Sequence, residues 1–361
     1  MAKAVSAETG AAPRPRPAMH REIHEAPERI ARLLEREAGP LARALAPLRR
    51  ERPGMIFVAG RGTSHHAAIY GHYLFQRFLG IPVSGAALSL FTLYPAPAAG
   101  GMKGALAIGL SQSGESSDVL RAMRAARRLG AYTVAVTNQV GSSLARAAHH
   151  TVALHARRER AVAATKTYSA QLVAITMICR ALGGDLPERQ VAALPEAMGA
   201  ALAQEEAVAE VVGYYRYAAR CLCLARGFNY ATVRETALKL METCYLGAVG
   251  MSAADFLHGP VAFVDPATPV VLFAPAGPTY PFMLRLARRL GRQNVDVLTF
   301  TNREEIAAAS KLAIRCPIAT PEPLSPIPLA TLGQLFACRL ALVRGLNPDA
   351  PRRLTKVTRT L

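Results

Sequence analysis

Met55-Ile56-Phe57-Val58-Ala59-Gly60-Arg61-Gly62-Thr63-Ser64 carries the reading of the fold. Five apolar residues in succession fit a strand buried on both faces, the habit of parallel sheets, where polar alternation is lost. Gly60-Arg61-Gly62 breaks that strand, and Thr63-Ser64 opens a helical stretch to about Leu79. The same grammar returns downstream. A further strand is expected at Ile81–Ser84, and Gly104–Leu110 runs into Ser111-Gln112-Ser113-Gly114 and a helix over Ser117–Leu129. Strand Tyr132–Val136 follows, and a long helix from about Thr167 to Leu182 closes the half. Strand–turn–helix units in series predict a doubly wound α/β sheet.

The second half repeats the scheme. Cys221-Leu222-Cys223-Leu224-Ala225-Arg226-Gly227 answers Phe57–Gly62, and Val270–Phe273 with Ala274-Pro275-Ala276-Gly277 answers Gly109–Gly114. Val295–Phe300 with Thr301-Asn302 answers Thr133–Asn138. Gly62 to Gly227, Gly114 to Gly277 and Asn138 to Asn302 span 165, 163 and 164 residues, so three landmarks recur at one spacing. The expected architecture is α/β, two tandem doubly wound parallel-sheet domains with flanking helices. Its expected parts begin with an Ala/Pro/Arg-rich disordered start over 1–18 and a helical segment over 19–52. In that segment Ile23, Ile30, Leu33, Leu34, Leu41, Leu45 and Leu48 recur at near-helical spacing. The first sheet domain is expected over 53–185, a helical link over 186–218, the second sheet domain over 219–346 and a tail over 347–361.

With 361 residues, 51% of them hydrophobic, the chain can bury sizeable cores without disulfides or metals, and wholesale disorder is excluded. No uninterrupted apolar run approaches the ~18 residues of a membrane span, and residues 1–17 hold no signal-peptide stretch. A cytoplasmic protein without a membrane partner is expected. Forty-three Lys+Arg against 25 Asp+Glu give a net charge of +18, which suits anionic partners. No basic block is interleaved with aromatics as single-strand binders require, so no nucleic-acid partner is expected. Cys179, Cys221, Cys223, Cys244 and Cys338 lie in apolar surroundings and Cys316 between Arg315 and Pro317. Cys221 and Cys223 share a strand face, but a zinc site would need a second such pair, so buried free thiols are expected. His65-His66 and His149-His150 lack partners at ligand spacing, and neither a metal nor an organic cofactor is expected.

Ligands of doubly wound sheets bind at the carboxyl ends of strands, where backbone N–H groups and helix dipoles face an anion. Gly60–Ser64 and Ser111–Ser117 place Thr63, Ser64, Ser111, Gln112, Ser113, Ser116 and Ser117 there. One such loop is explained by ordinary N-capping. Two in one domain, when the matching Ala274-Pro275-Ala276-Gly277 has lost its hydroxyls, favour a phosphate monoester. Gly60-Arg61-Gly62 lacks the third glycine of a dinucleotide fingerprint, and no GxxxxGK[ST] occurs.

Glu235, Lys239 and Glu242 fall at i, i+4 and i+7 on one helix face. A plain surface stripe would explain them, with a Glu235–Lys239 pair worth only ~0.3–0.5 kcal/mol. However, Ala237, Leu238, Leu240 and Met241 are apolar, so the helix is expected to be buried with its charged stripe on a cleft. Asp255-Phe256-Leu257-His258-Gly259-Pro260 then places a histidine in a turn, exposed to a site.

Together with Ala161-Val162-Ala163-Ala164-Thr165-Lys166, Glu235–Glu242, Leu257-His258-Gly259-Pro260 and the tail Asn347-Pro348-Asp349…Lys356-Val357-Thr358-Arg359-Thr360-Leu361, these motifs resemble the sugar isomerase (SIS) double-domain family. More narrowly, the chain from about Met19 to Leu361 is similar to the isomerase half of glucosamine-6-phosphate synthase and to the isomerase-type glucosamine-6-phosphate deaminases. The resemblance implies roles at matching positions. Ser111, Gln112, Ser113 and Ser116 would hold the sugar phosphate, with Thr63 and Ser64 near the hydroxyls and Val162 and Ala164 against the sugar. Glu242 would shuttle a proton between C1 and C2, a task suiting one carboxylate that reaches both carbons. His258, which the family takes from the neighbouring subunit, would assist ring opening and implies a homodimer. Lys356 matches the tail lysine that meets the open-chain sugar, and Glu235 and Lys239 would support the site.

Departures narrow the expectation. Fewer than 60 residues precede the first strand and no Cys precedes Cys179, so a glutaminase domain is not expected in this chain. Arg61 stands where the synthase pattern has Cys, and Ala164 where it has a substrate-contacting Ser. The expected activity is therefore conversion of glucosamine 6-phosphate and water to fructose 6-phosphate and ammonia. A related aldose–ketose isomerase, an aminotransferase-like enzyme without its glutaminase domain, and a deaminase for another amino-sugar phosphate are enzymatic alternatives. A sugar-phosphate-sensing regulator is the non-enzymatic one.

Overall fold

The computed structural model describes residues 16–94, 101–317 and 320–356. Residues 1–15 of the start expected to be disordered, and 357–361 of the tail, lie outside the described residues. Helix α1 (Ala18–Arg50) continues through Pro27, Pro40 and Pro47 and buries Met19, Ile23, Ala26, Ile30, Leu33, Leu41 and Leu45. Leu34 and Leu48 are only partly covered.

The first α/β unit follows as β1 (Met55–Ala59), α2 (Thr63–Leu79), β2 (Val83–Gly85), α3 (Leu88–Thr92), β3 (Ala105–Leu110), α4 (Ser117–Arg128), β4 (Tyr132–Thr137), α5 (Ser143–Ala147), β5 (His150–Ala153) and α6 (Lys166–Ala181). Helices α7 (Glu188–Ala192), α8 (Leu194–Leu202) and α9 (Glu205–Val212) link it to the second unit. That unit comprises β6 (Arg220–Ala225), α10 (Tyr230–Cys244), β7 (Gly247–Ser252), α11 (Ala253–Leu257), β8 (Val270–Phe273), α12 (Tyr280–Arg292), β9 (Val297–Thr301), α13 (Glu304–Ala308), β10 (Leu312–Arg315) and α14 (Pro326–Val343).

Both sheets are parallel and five-stranded, ordered β2-β1-β3-β4-β5 and β10-β9-β8-β6-β7. Read from its other end, the second order is the first one repeated, so the duplication seen in the spacing is a duplication of topology. Val58 lies opposite Ile108 in the first sheet and Leu224 opposite Leu272 in the second. Strand order reverses between β1 and β3, and again between β6 and β8, which opens a crevice at each switch point.

Two expected strands shift. Ile81–Ser84 forms as Val83–Gly85, because Pro82 has no N–H to give the ladder, although its carbonyl accepts from Ile56. Val295–Phe300 forms as Val297–Thr301. Strands β5, β7 and β10 were not expected at all. Among the described residues, helix α14 alone is long and apolar enough to cross a membrane, by length and composition. Thr331, Gln334 and Arg339 break its apolar run, and 83% of the stretch is buried inside the protein. All six cysteines are free and buried, as expected.

Each sheet carries helices on both faces. One core packs α1, α2 and α6 on the first sheet and already includes Ala231, Leu324, Ile327 and Ala330 of the second unit. The second sheet's matching core, with α10 and α14, centres on Phe336, which stands edge-on to Tyr215 and Phe300 at 5.5 and 6.0 Å. The two units are thus joined through a shared helical layer, and this brings α10 to the rim of the first unit's crevice.

Candidate active site

The crevice between β1 and β3 opens into a cleft of about 250 Å³. The turn after β1 supplies Arg61, Gly62, Thr63 and Ser64, and the turn after β3 supplies Ser111, Gln112, Ser113 and Ser116. Val162, Ala164 and Thr167 form a wall before and within α6, Glu242 reaches in from α10, and Leu354, Thr355 and Lys356 come from the tail. Ten of the thirteen residues expected to have a catalytic or substrate-binding role therefore line one cleft: Thr63, Ser64, Ser111, Gln112, Ser113, Ser116, Val162, Ala164, Glu242 and Lys356. Helix α4 begins at Ser117, so its first amides and its positive dipole end face the same space.

Glu235 and Lys239 lie beneath the cleft rather than on it, 1% and 0% exposed. This corrects the expectation that the whole charged stripe faces the cleft: only Glu242 does, at 21% exposure. Lys239 Nζ donates to Glu242 Oε2 at 2.5 Å and to Thr63 Oγ1 at 3.2 Å, and sits 3.3 Å from Glu235 Oε1. Burial alone would lower the Lys239 pKa, but the two carboxylates outweigh it and hold the value above the usual lysine range. Lys239 is thus a fixed cation that aims Glu242. Glu235 in turn accepts from Thr63 Oγ1 at 3.1 Å and bonds His66 Nδ1 at 2.8 Å. The network ties α2 of the first unit to α10 of the second.

Lys356 Nζ donates to Glu159 Oε2 at 2.9 Å and to the Ala161 carbonyl at 2.7 Å. Glu159 is fully buried and also accepts from Thr167 Oγ1 at 2.7 Å and from the Thr165 and Thr167 amides. Burial opposes its charge, yet Lys356 and these donors outweigh that and hold the carboxyl below the ordinary value. The wall containing Val162 is braced from α1, where Glu22 accepts from the Arg160 and Ala161 amides. Burial pushes the Glu22 pKa up, the Arg160 amide working against it. Asp349 accepts from the Ala18 and Met19 amides at 2.7 Å each, and its carbonyl accepts from Val162 N at 3.1 Å. Tail, wall and first turn of α1 form one braced unit.

His258 is the residue the chain does not bring to its own cleft. It caps α11, is exposed, and is absent from the cleft lining. Sequence reasoning missed Glu159, Gln171, Thr167 and His66; Glu159 sits in Arg157-Arg158-Glu159-Arg160, which reads as a solvated charge run. It also passed over His20, His24 and Glu205, which gather closely enough to share a cation. There both imidazoles bond the Glu205 carboxylate, and Arg339 already supplies its counter-charge.

The corresponding crevice of the second unit is filled by the chain itself. Glu322, 4% exposed, accepts from Thr279 N at 3.1 Å and Thr279 Oγ1 at 2.8 Å. Gly277, at φ 149°, leaves it room: a Cβ there would stand 2.1 Å from Glu322 Oε2.

A pair of doubly wound sheets, with a hydroxyl-lined crevice at the strand-order switch of the first, defines a duplicated α/β protein. The chain belongs to the SIS domain family, whose profile matches residues 50–181 and 214–344. It is 35% identical over 347 residues to the glutamine–fructose-6-phosphate aminotransferase (isomerizing) of Pyrococcus horikoshii, covering 94% of this chain and 57% of that protein. The chain thus spans little more than half the length of this relative. Among solved structures, the C-terminal domain of the Francisella tularensis glucosamine-fructose-6-phosphate aminotransferase superposes with a TM-score of 0.82 at 22% identity, covering 96% of this chain and all of that one. The Thermotoga maritima glucosamine-6-phosphate deaminase superposes at 0.76 and 20% identity, covering 95% and 100%. At such identities the likeness shows the fold alone.

Proposed function

We propose that the chain is an enzyme of amino-sugar phosphate metabolism, a glucosamine-6-phosphate deaminase yielding fructose 6-phosphate and ammonia. The observation that carries this reading is the convergence of a hydroxyl- and amide-lined anion crevice with a lysine-aimed carboxylate, Glu242, in one cleft. In the proposed reaction the phosphate lies on Ser111–Ser116 and the first turn of α4. Thr63 and Ser64 meet sugar hydroxyls. After ring opening, Glu242 takes the proton from C2, leaving an enol-amine, and returns it to C1. The resulting C2 imine adds water and releases ammonia, so the equation closes as amino sugar phosphate plus water to ketose phosphate plus ammonia. A carboxylate used as both base and acid contributes about 10²–10⁴ to such a rate. Lys356, as a cation, stands ready to steady the developing oxyanion.

Exposed His258, outside its own cleft, supports a homodimer in which each subunit lends this residue to the other. Proton transfer and imine hydrolysis call on acid–base groups only, so the proposal includes no cofactor. The same cleft would serve an aldose–ketose isomerase without change in the proton step. Purified protein incubated with glucosamine 6-phosphate separates these readings. Equal release of ammonia and fructose 6-phosphate, lost in Glu242→Gln, supports the deaminase. Ketose formation from an aldose phosphate without ammonia supports the isomerase.

A further inference from the structure

The internal duplication locates the anion. In the second unit a carboxylate occupies the crevice: Glu322 lies on Thr279, and the Cβ position of Gly227 is 3.4 Å from its Oε1. At the spacing of 163–165 residues, Thr279 corresponds to Ser116, Gly277 to Gly114, Gly227 to Gly62 and Glu322 to Glu159. In the first unit Glu159 turns instead to Lys356, Thr165 and Thr167. The matching space between Gly62 and Ser116 stays open, and both residues line the cleft.

One further pair differs between the copies. Arg61 in the first unit donates through Nε at 3.0 Å and Nη2 at 2.8 Å to Asp118 Oδ2 in the first turn of α4. Its equivalent Arg226 has no acid to bind, since Pro281 stands where Asp118 would be, and lies instead 4.2 Å over the ring of the next residue, Phe282. Asp118 is buried, whereas the Arg61 side chain is 51% exposed and lines the cleft. A guanidinium fixed on one edge keeps its remaining donors for a second acceptor, and its planar fork matches phosphate oxygens.

We infer that Arg61, pinned by Asp118, is a substrate-binding residue that supplies the fixed positive charge of the phosphate subsite between Gly62 and Ser116. Arg61 thereby selects a phosphate dianion over a neutral or singly charged group at that end of the substrate. The inference rests on the sugar-phosphate reading of the cleft and names the side chain that enforces it.

The test compares Arg61→Gln, Arg61→Lys and Asp118→Asn with the wild-type chain. Inorganic phosphate binding is measured by calorimetry and glucosamine 6-phosphate turnover by ammonia release. A charge-assisted hydrogen bond lost to Gln is expected to raise both the phosphate Kd and the KM about 10-fold or more, with kcat within about twofold. Arg61→Lys is expected to recover part of the loss, and Asp118→Asn to fall between. A purely structural role would instead lower the melting temperature without separating KM from kcat. Equal phosphate affinity in wild type and Arg61→Gln would overturn the inference and leave the sugar-phosphate reading standing. A wild-type chain that binds neither phosphate nor glucosamine 6-phosphate would overturn both.

Discussion

Lys356 and Glu159, 197 residues apart in the chain, meet at 2.9 Å through a carboxylate with no solvent exposure. The tail is therefore held to the cleft wall by a charge that the fold has already surrounded with donors. Glu159→Gln removes the pair and leaves Lys356 with the Ala161 carbonyl. Because Lys356 is 26% exposed, water compensates in part. The expected cost is about 1–3 kcal/mol, below the full price of breaking a buried pair. Chemical denaturation measures it, and hydrogen exchange over 349–356 should accelerate in the variant.

The same pair sets an acid limit. Glu159's folded pKa lies below its ordinary 4.5, so the unfolded chain binds more protons between the two values. The stabilisation is complete above about pH 4.5 and is lost as pH falls through the lower folded value. Limited proteolysis of the tail should stay flat from pH 7 to 5 and rise only below that window. A rise already at pH 6 would contradict the assignment.

Gly277→Ala places a Cβ 2.1 Å from Glu322 Oε2 at a φ of 149°. Either Glu322 leaves Thr279 or the turn moves, and both undo the buried carboxylate's hydrogen bonds. A loss of about 2–4 kcal/mol is expected, read from the urea midpoint. An unchanged midpoint would mean that Glu322 does not occupy the second crevice.

If His258 serves the neighbouring subunit, His258→Asn and Glu242→Gln should complement. Each homodimer would be inactive, but a mixed dimer carries one site free of both substitutions. Remixing equal amounts should restore about a quarter of wild-type activity from the symmetry of the pairing. Mixtures as inactive as their components would place His258 outside the reaction.

The sheets were legible where burial writes a continuous apolar run, as in Phe57-Val58-Ala59 or Ala105–Leu110, and where glycine marks the turn. Three of the four edge strands, β5, β7 and β10, were not. His150-Thr151-Val152-Ala153 is short and half polar, and Gly247–Ser252 holds two glycines, one of which lets α10 approach closely. Hydroxyls at strand ends announced the cleft because local chain direction alone puts them there. Glu159 could not be read that way, since its burial depends on Thr165, Thr167 and a lysine almost 200 residues away. The internal repeat held the missing signal: Glu159 and Glu322 sit 163 residues apart, at the spacing already found from the glycines.

The central claim is that Glu242 moves a proton between C1 and C2 of a phosphosugar held by the β1–β3 crevice. Nuclear magnetic resonance of glucosamine 6-phosphate and fructose 6-phosphate incubated with the enzyme in D₂O tests it most directly. Deuterium entering C1 of the ketose with wild type, slowed at least about 100-fold in Glu242→Gln while phosphate binding is retained, is the expected result. Exchange that persists in the variant, or none in the wild type with either sugar bound, would contradict the account.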